Sequence, residues 1–166
     1  MMNFNYTKSF IISIIFILGC ETIQNHSTND PNIIIIYTDD LGYGDVSAYQ
    51  KGTLKTPNID KLANEGIRFN FGYASSATCS PSRYALLTGK YPWRKDGLRV
   101  ITGGSLVIDT TEMTIPKLLK RKNYHTGIVG KWHLGLGSGD GIAGSGIIDY
   151  NSTISPGPNE VGFDYS

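Results

Sequence analysis

The sequence predicts an α/β fold with a mostly parallel central sheet flanked by helices. Two apolar runs, residues 32–38 and 126–129, are predicted strands, and three proline-containing helix starts lie between them. The first run is rich in isoleucine and does not alternate with polar residues, which is typical of a strand buried on both faces. Strand, helix, helix, helix, strand is the order that connects parallel strands through helical crossovers.

The amino-acid composition argues against some classes of protein. The chain has 166 residues, with 15 Lys and Arg against 14 Asp and Glu, so it carries almost no net charge. A nucleic-acid-binding domain usually has a basic surplus, and this balance argues against one. Two cysteines are too few for a disulfide-stabilised scaffold.

Residues 1–19 are predicted to be a signal peptide, with Lys8 as its positive charge and residues 10–18 as its apolar core. The core ends in Leu18-Gly19-Cys20, which resembles a bacterial lipobox. We therefore expect Cys20 to be lipidated and the protein to be anchored, after export, in the periplasm or at the cell surface. The alternatives are an ordinary signal peptide or a buried strand with an incidental Cys20. Residues 20–31 are polar and are predicted to be a tether.

The first predicted helix begins at Thr56-Pro57 and ends at Gly66, with a buried face of Ile59, Leu62 and Ala63. A short strand is predicted at residues 67–69. The second helix begins at Ser80-Pro81, carries Leu86 and Leu87 and ends at Gly89. The third begins at Thr114, has Leu118 and Leu119 as its apolar residues and is expected to hold Lys120, Arg121 and Lys122 in its last turn.

The segment from residue 130 to 146 is rich in glycine and is predicted to be a flexible loop. Residues 139–144 match the glycine pattern of dinucleotide-binding turns. We reject that interpretation, because the match does not directly follow a strand and no helical pattern follows it.

Three short clusters contain residues suited to chemistry. Asp39 and Asp40 follow the first strand, where ligands bind in open α/β sheets. Two adjacent carboxylates there suit a hard cation such as Ca²⁺ or Mg²⁺. A turn in which one of them caps a backbone N–H is the alternative.

The second cluster pairs Cys79, just before a helix start, with Arg83 about one turn later. A nucleophile beside a guanidinium at an anion-favouring helix terminus suits attack on a sulfate or phosphate ester. In the third cluster, Lys131 and His133 face the same way on an extended segment. A buried structural cysteine with a surface arginine, and a solvated lysine with a capping histidine, are the alternatives.

Several motifs together resemble the type I sulfatases of the alkaline-phosphatase-like superfamily, most of all the arylsulfatase A type. Residues 79–83 match the Cys-x-Pro-Ser-Arg signature, with the trailing Leu-Thr-Gly at 87–89. Residues 31–45, 56–60, 130–135 and 162–165 are also sulfatase-like, in order and at fitting spacing. The resemblance covers residues 31–166, so we expect residues 32–166 to be the N-terminal portion of a sulfatase catalytic domain.

The resemblance implies a role for each matched residue. A separate maturation enzyme would oxidise Cys79 to formylglycine, the nucleophile that attacks a sulfate ester. Asp39 and Asp40, together with the modified Cys79, would bind Ca²⁺ in preference to Mg²⁺. Arg83, Lys131 and His133 would contact the formylglycine and the sulfate.

The resemblance also implies what these residues do not supply. Sulfatases carry further metal ligands and pocket residues in a later stretch that has no counterpart here, so we expect this chain alone to be inactive. A phosphate or phosphonate ester hydrolase of the same superfamily is one alternative function. A non-catalytic surface lipoprotein, either a remnant or a binder of sulfated glycans, is another.

Overall fold

The computed structural model describes residues 30–50, 52, 54–100, 103–139 and 148–166. The predicted signal peptide, Cys20 and most of the predicted tether lie outside these residues. The described part contains three α-helices: α1 (Pro57–Glu65), α2 (Cys79–Thr88) and α3 (Ile115–Lys120). Two short 3₁₀ turns, Tyr43–Asp45 and Pro92–Arg94, accompany them. None of these helices has the length and apolarity that a membrane span needs.

The chain divides into two units between Tyr37 and Thr38. In the described part of the first unit, residues 30–37, no strand forms, and Ile34 and Ile36 are 83% and 78% exposed. The predicted buried strand is therefore not formed here. A strand of this kind is stabilised by partner strands on both edges and by helices over both faces, and in the described part of the chain residues 30–37 are not paired into a sheet. The mostly parallel sheet stays a prediction.

Helix α1 has the predicted ends. Thr56 is its N-cap, Pro57 is its first residue, and the Gly66 N–H donates to the Leu62 carbonyl at 2.9 Å. The predicted buried face is wrong, since Ile59 is 41% and Leu62 is 65% exposed. Among the described residues, no other helix packs against α1, so its apolar stripe stays uncovered.

Helix α2 begins at Cys79, one residue before the predicted start, and ends as predicted at Gly89, whose φ is +67°. It packs against α3 and the Pro92–Arg94 turn. Its most buried apolar side chain is Tyr84, while Leu86 and Leu87 are partly buried. The aromatic ring reaches further into the core than either leucine.

Helix α3 begins as predicted, with the Thr114 hydroxyl accepting from the Lys117 N–H. That hydroxyl also donates to the Val161 carbonyl at 2.5 Å, so it connects the helix start to the C-terminal segment. The helix ends at Lys120 rather than continuing through Lys122. The following turn leads to Asn123 in the left-handed region, at φ +60°, where a helix cannot continue.

The core of the second unit was not foreseen from the sequence. Leu106, Val107 and Ile108 are buried against a cluster completed by Tyr84, Leu134 and Val161. The Val107 N–H donates to the Leu134 carbonyl at 3.0 Å, which brings residues 104–108 beside residues 134–137. Gly135, at φ +75°, allows this approach, because a Cβ there would overlap the Ser105 carbonyl.

The predicted strand at residues 126–129 is reduced to one isolated parallel bridge between Gly127 and Tyr165. Asp164 holds this bridge, since it accepts the Thr126 N–H at 2.8 Å and pairs with Lys120 at 2.6 Å. No strand forms at residues 67–69, which are exposed. Residues 130–139 form neither helix nor strand, as predicted for a loop, and most of the rejected dinucleotide match lies outside the described residues.

Candidate active site

Four of the predicted site residues come together at the first turn of α2. The Cys79 Sγ lies 4.0 Å from Asp39 Oδ1 and 3.7 Å from Lys131 Nζ. Lys131 Nζ and Asp39 Oδ2 are 2.5 Å apart, and an Arg83 nitrogen lies 3.8 Å from the same carboxylate oxygen. These side chains are separated by up to 92 positions in sequence. The cluster is therefore a product of tertiary folding.

The helix and the loop that carry this cluster are fastened to each other. Arg83 is one turn after Cys79, and its guanidinium donates to the Lys131 carbonyl at 2.6 Å. Beneath the loop, Leu134 is fully buried, and the Trp132 indole N–H donates to the Gly135 carbonyl at 2.7 Å. Because the loop is anchored on both sides, Lys131 is held close to Cys79.

Electrostatics in the cluster favour the charged forms. The hydrogen bond from Lys131 lowers the pKa of Asp39, and the positive charges of Lys131, Arg83 and His133 contribute in the same direction. The hydrogen bond to Asp39 in turn raises the pKa of Lys131. Near neutral pH the thiol therefore faces a carboxylate and an ammonium group, both ionised.

His133 and Asp40 share an unusual backbone conformation. His133 is near enough to Asp39 to influence its pKa, and its backbone is left-handed at φ +56°. Asp40 also has a left-handed backbone, at φ +58°. It is exposed and, among the described residues, has no hydrogen bond or ion pair to the other five site residues. Left-handed non-glycine residues are uncommon and concentrate at functional sites.

The residues fit a Ca²⁺ ion in type but only partly in number. Asp39 and Asp40 offer the hard carboxylate oxygens that Ca²⁺ prefers, whereas a full shell takes about six to eight oxygens. Among the described residues, no group of three or more His, Cys, Asp or Glu side chains is placed to hold a metal. The Asp39 carboxylate is occupied by Lys131 and Arg83 instead.

The residues that support α2 from behind the site were not predicted from the sequence. Glu112 accepts from the buried Tyr84 hydroxyl at 3.2 Å and pairs with Lys90 at 2.5 Å. Burial, followed by the charge of Glu112, raises the pKa of Tyr84 to about 12. Glu112 lies outside any regular element and follows no spacing rule, so the sequence offered no signal for it.

The arrangement is suited to an anionic ester. The Cys79 thiol stands at the N-terminus of a ten-residue helix, where backbone N–H groups and the helix dipole favour negative charge. Two cations, Lys131 and Arg83, lie beside it. Such a site can bind the anionic head of an ester and stabilise charge that develops on its oxygens.

Comparison with known proteins agrees with this chemistry. The family model described as Sulfatase matches residues 31–164. The chain is 43% identical over 170 aligned residues to an N-acetylgalactosamine-6-O-sulfatase of Bacteroides thetaiotaomicron, covering 99% of this chain and 32% of that protein. It is 44% identical over 115 residues to arylsulfatase A of Bos taurus, covering 67% of this chain and 22% of that protein.

The chain is also similar to a solved sulfatase structure. This structure is described as a 6S-sulfatase from a Bacteroides thetaiotaomicron locus for glycosaminoglycan metabolism. Its TM-score is 0.74 at 49% identity, covering 81% of this chain and 27% of that one. The chain thus spans about a third or less of the length of these relatives. Because the family model matches most of its residues, the chain belongs to the sulfatase family, of which it represents an N-terminal part.

Proposed function

We propose that this chain is the N-terminal part of a sulfatase that hydrolyses aryl or carbohydrate sulfate esters through a formylglycine made from Cys79. The observation that carries the proposal is the position of the Cys79 thiol. It lies at the start of α2, 3.7 Å from the Lys131 ammonium and 4.0 Å from the Asp39 carboxylate. This is the place where a nucleophile, an anion site and a metal ligand have to meet.

Formylglycine explains why a sulfatase would use a cysteine there. The hydrated aldehyde supplies two hydroxyls, one to displace the alcohol from sulfur and one whose deprotonation lets sulfate depart. A serine has only one hydroxyl and would end as a stable sulfate ester. Cys79 is partly exposed in the folded chain, which is consistent with a maturation enzyme reaching its thiol.

The neighbouring residues then have separate tasks. Lys131 binds the sulfate oxygens and stabilises the charge that develops on them. Arg83, which is only 13% exposed, holds the modified side chain from the helix side and orients the Lys131 loop through its carbonyl. His133 donates a hydrogen bond to the formylglycine hydroxyls.

Asp39 and Asp40 are the residues of this chain that would hold Ca²⁺. A bound Ca²⁺ would polarise the nucleophilic oxygen and the sulfate group. Lys131 and Arg83 pair with Asp39 and keep its carboxylate ionised, which is the form that binds a cation. The remaining oxygens of the shell would come from residues outside the described part of this chain.

We also propose that the protein is exported and anchored through a lipid on Cys20. The support is the order of Lys8, the apolar stretch and Leu18-Gly19-Cys20. Metabolic labelling with a radioactive fatty acid should mark the protein, and Cys20→Ser should remove the label. Label that persists in Cys20→Ser would refute the anchor.

The catalytic proposal is tested in the longest reading frame that contains these 166 residues, produced with a formylglycine-generating enzyme. Peptide mass spectrometry should show Cys79 converted to the aldehyde. Multiple turnovers of an aryl sulfate, dependent on Ca²⁺, should be lost completely in Cys79→Ala. A phosphate monoester hydrolysed faster than any sulfate ester would favour the phosphatase alternative. An unmodified Cys79 with no hydrolysis would favour the non-catalytic lipoprotein.

A further inference from the structure

Helix α2 is held from a second side by a carboxylate that the catalytic proposal does not use. The Tyr84 hydroxyl lies 3.2 and 3.3 Å from the two carboxylate oxygens of Glu112 and donates a shared hydrogen bond to them. Tyr84 is only 1% exposed and belongs to the apolar cluster that includes Leu134. Its ring therefore packs in the core beside the base of the Lys131 loop, and its hydroxyl ends at Glu112.

The Glu112 carboxylate has a defined position. The Glu112 N–H donates to the Asp109 carbonyl at 2.9 Å. The ammonium group of Lys117, a residue of α3, donates to the Glu112 carbonyl at 3.0 Å and also to the Thr110 carbonyl. The Glu112 side chain is only 18% exposed and pairs with Lys90 at 2.5 Å. Because backbone and side chain are both held, this carboxylate can act as a fixed support for α2.

Two contacts in different directions fix the rotation of α2 about its own axis. Arg83 and Tyr84 are consecutive, so their side chains leave the helix about 100° apart. On the side of the site, the Arg83 guanidinium donates to the Lys131 carbonyl at 2.6 Å. The Tyr84 hydroxyl reaches Glu112 on another side. Either contact alone would let the helix turn about it, whereas the two together do not.

The rotation of α2 decides where the Cys79 side chain points. Its Sγ lies 3.7 Å from Lys131 Nζ and 4.0 Å from Asp39 Oδ1. Side-chain atoms lie roughly 4–5 Å from the axis of an α-helix, so a rotation of about 15° moves them by roughly 1 Å. A misplacement of about 1 Å in a reacting group can cost about 10²-fold in rate. A small rotation of α2 is therefore enough to weaken catalysis.

We propose that Glu112 is a positioning residue, which fixes the rotation of α2 through Tyr84 and so places the Cys79 nucleophile against Lys131 and Asp39. This inference rests on the proposed function, because it takes the side chain derived from Cys79 as the nucleophile. Glu112 acts through the helix and not by contact with the substrate. Its loss should therefore lower kcat and leave KM nearly unchanged.

The test uses the matured protein produced from the longest reading frame that contains these 166 residues, with an aryl sulfate as substrate. The rate is divided by the fraction of Cys79 converted to formylglycine, measured by peptide mass spectrometry. Glu112→Ala and Tyr84→Phe should each lower kcat roughly 10–10²-fold and change KM by less than about twofold. The double variant should lose no more than Glu112→Ala alone, because both changes break the same hydrogen bond. Glu112→Gln, whose amide oxygen still accepts from Tyr84, should recover most of kcat.

Asp60→Ala is the matched control. The Asp60 carboxylate also accepts from two hydroxyls, those of Ser47 and Thr56, but it holds α1, which carries none of the predicted site residues. It should leave kcat unchanged. Equal losses in Asp60→Ala and Glu112→Ala would overturn the positioning role, as would a wild-type kcat in Glu112→Ala or additive losses in the double variant.

A second readout does not need turnover. In protein made without the maturation enzyme, alkylation of the Cys79 thiol by iodoacetamide is followed on its own peptide by mass spectrometry. Glu112→Ala should slow this reaction severalfold, because the thiolate moves away from the Lys131 ammonium, and Asp60→Ala should not. An unchanged alkylation rate in Glu112→Ala would refute the positioning role. Failure of the wild-type matured protein to hydrolyse any sulfate ester would instead refute the proposed function.

Discussion

Helices α1 and α2 are similar in length, nine and ten residues, and each ends at a glycine, but their surroundings differ. Helix α2 buries Tyr84 and Ala85, packs on α3 and carries Cys79 and Arg83. Helix α1 buries none of its residues. Its start is held only by polar contacts, in which the Ser47 and Thr56 hydroxyls donate to Asp60 at 2.6 and 3.0 Å.

The difference shows that the residues that set the ends of a helix and the apolar face that it buries contribute separately, the first to its boundaries and the second to its stability. A capping residue, a first-turn proline and a terminal glycine define where a helix begins and ends. Most of the stability of a short helix comes from the apolar face that it buries. Helix α1 has defined ends but little buried surface, whereas α2 has both, and α2 is the helix that carries Cys79 and Arg83.

The largest expected difference between the two helices is in activity, and it is tested at one lysine beside each helix. Lys131 lies against α2 and Cys79, whereas Lys61 is on α1 and pairs with Glu65 at 3.9 Å on the surface. In the longest reading frame, Lys131→Met should lower kcat/KM for an aryl sulfate roughly 10²–10³-fold, as loss of a charge-stabilising donor does. Steady-state kinetics measures this.

Lys61→Met is the matched control. It should leave kcat/KM unchanged, because exposed ion pairs of this kind contribute little. A comparable loss of activity in both variants would mean that Lys131 acts through general stability. Circular dichroism of both proteins separates that outcome from a catalytic one.

The next effect concerns stability and compares two leucines. Leu134 is fully buried against the core that α2 joins, and Leu62 on α1 is 65% exposed. Leu134→Ala should lower the free energy of unfolding by about 2–5 kcal/mol, and Leu62→Ala by less than about 0.5 kcal/mol. Urea unfolding followed by tryptophan fluorescence measures both. Similar losses for the two variants would show that α1 is covered in solution.

The smallest expected difference is in how stability changes at alkaline pH, because the buried face of α2 carries a group that titrates there. The folded protein holds the pKa of Tyr84 at about 12, against an ordinary value of 10.0. Folding therefore favours the protonated phenol. The contribution of this preference to the free energy of unfolding is fully present below pH 10. It is lost as the pH rises from about 10 to about 12.

Tyr84→Phe should remove this pH dependence and cost about 1 kcal/mol at neutral pH through the lost hydrogen bond to Glu112. Tyr91→Phe is the control, since Tyr91 is 54% exposed. Thermal unfolding midpoints across the alkaline range test the prediction. An unchanged alkaline profile in Tyr84→Phe would contradict the assignment of the window to this residue.

Local signals in the sequence accounted for the helix ends. Thr56-Pro57 with Gly66, Thr114, and Gly89 were all identified correctly, because caps and turns depend on neighbouring residues alone. The family and its signature cysteine were also readable, since short motifs keep their residues and spacing. Predictions that needed a distant partner failed, such as the buried strand at 32–38 and the apolar face of α1.

The site divides in the same way. Sequence by itself predicted which side chains are candidates for chemistry on a sulfate ester: Asp39, Asp40, Cys79, Arg83, Lys131 and His133. Only the tertiary structure decided that the Lys131 loop crosses the start of α2, because that crossing depends on Leu134 in the core and on the Arg83 contact to the Lys131 carbonyl. It also decided the place of Glu112. Such contacts join residues far apart in the chain, and their free energy depends on packing geometry that no local pattern encodes.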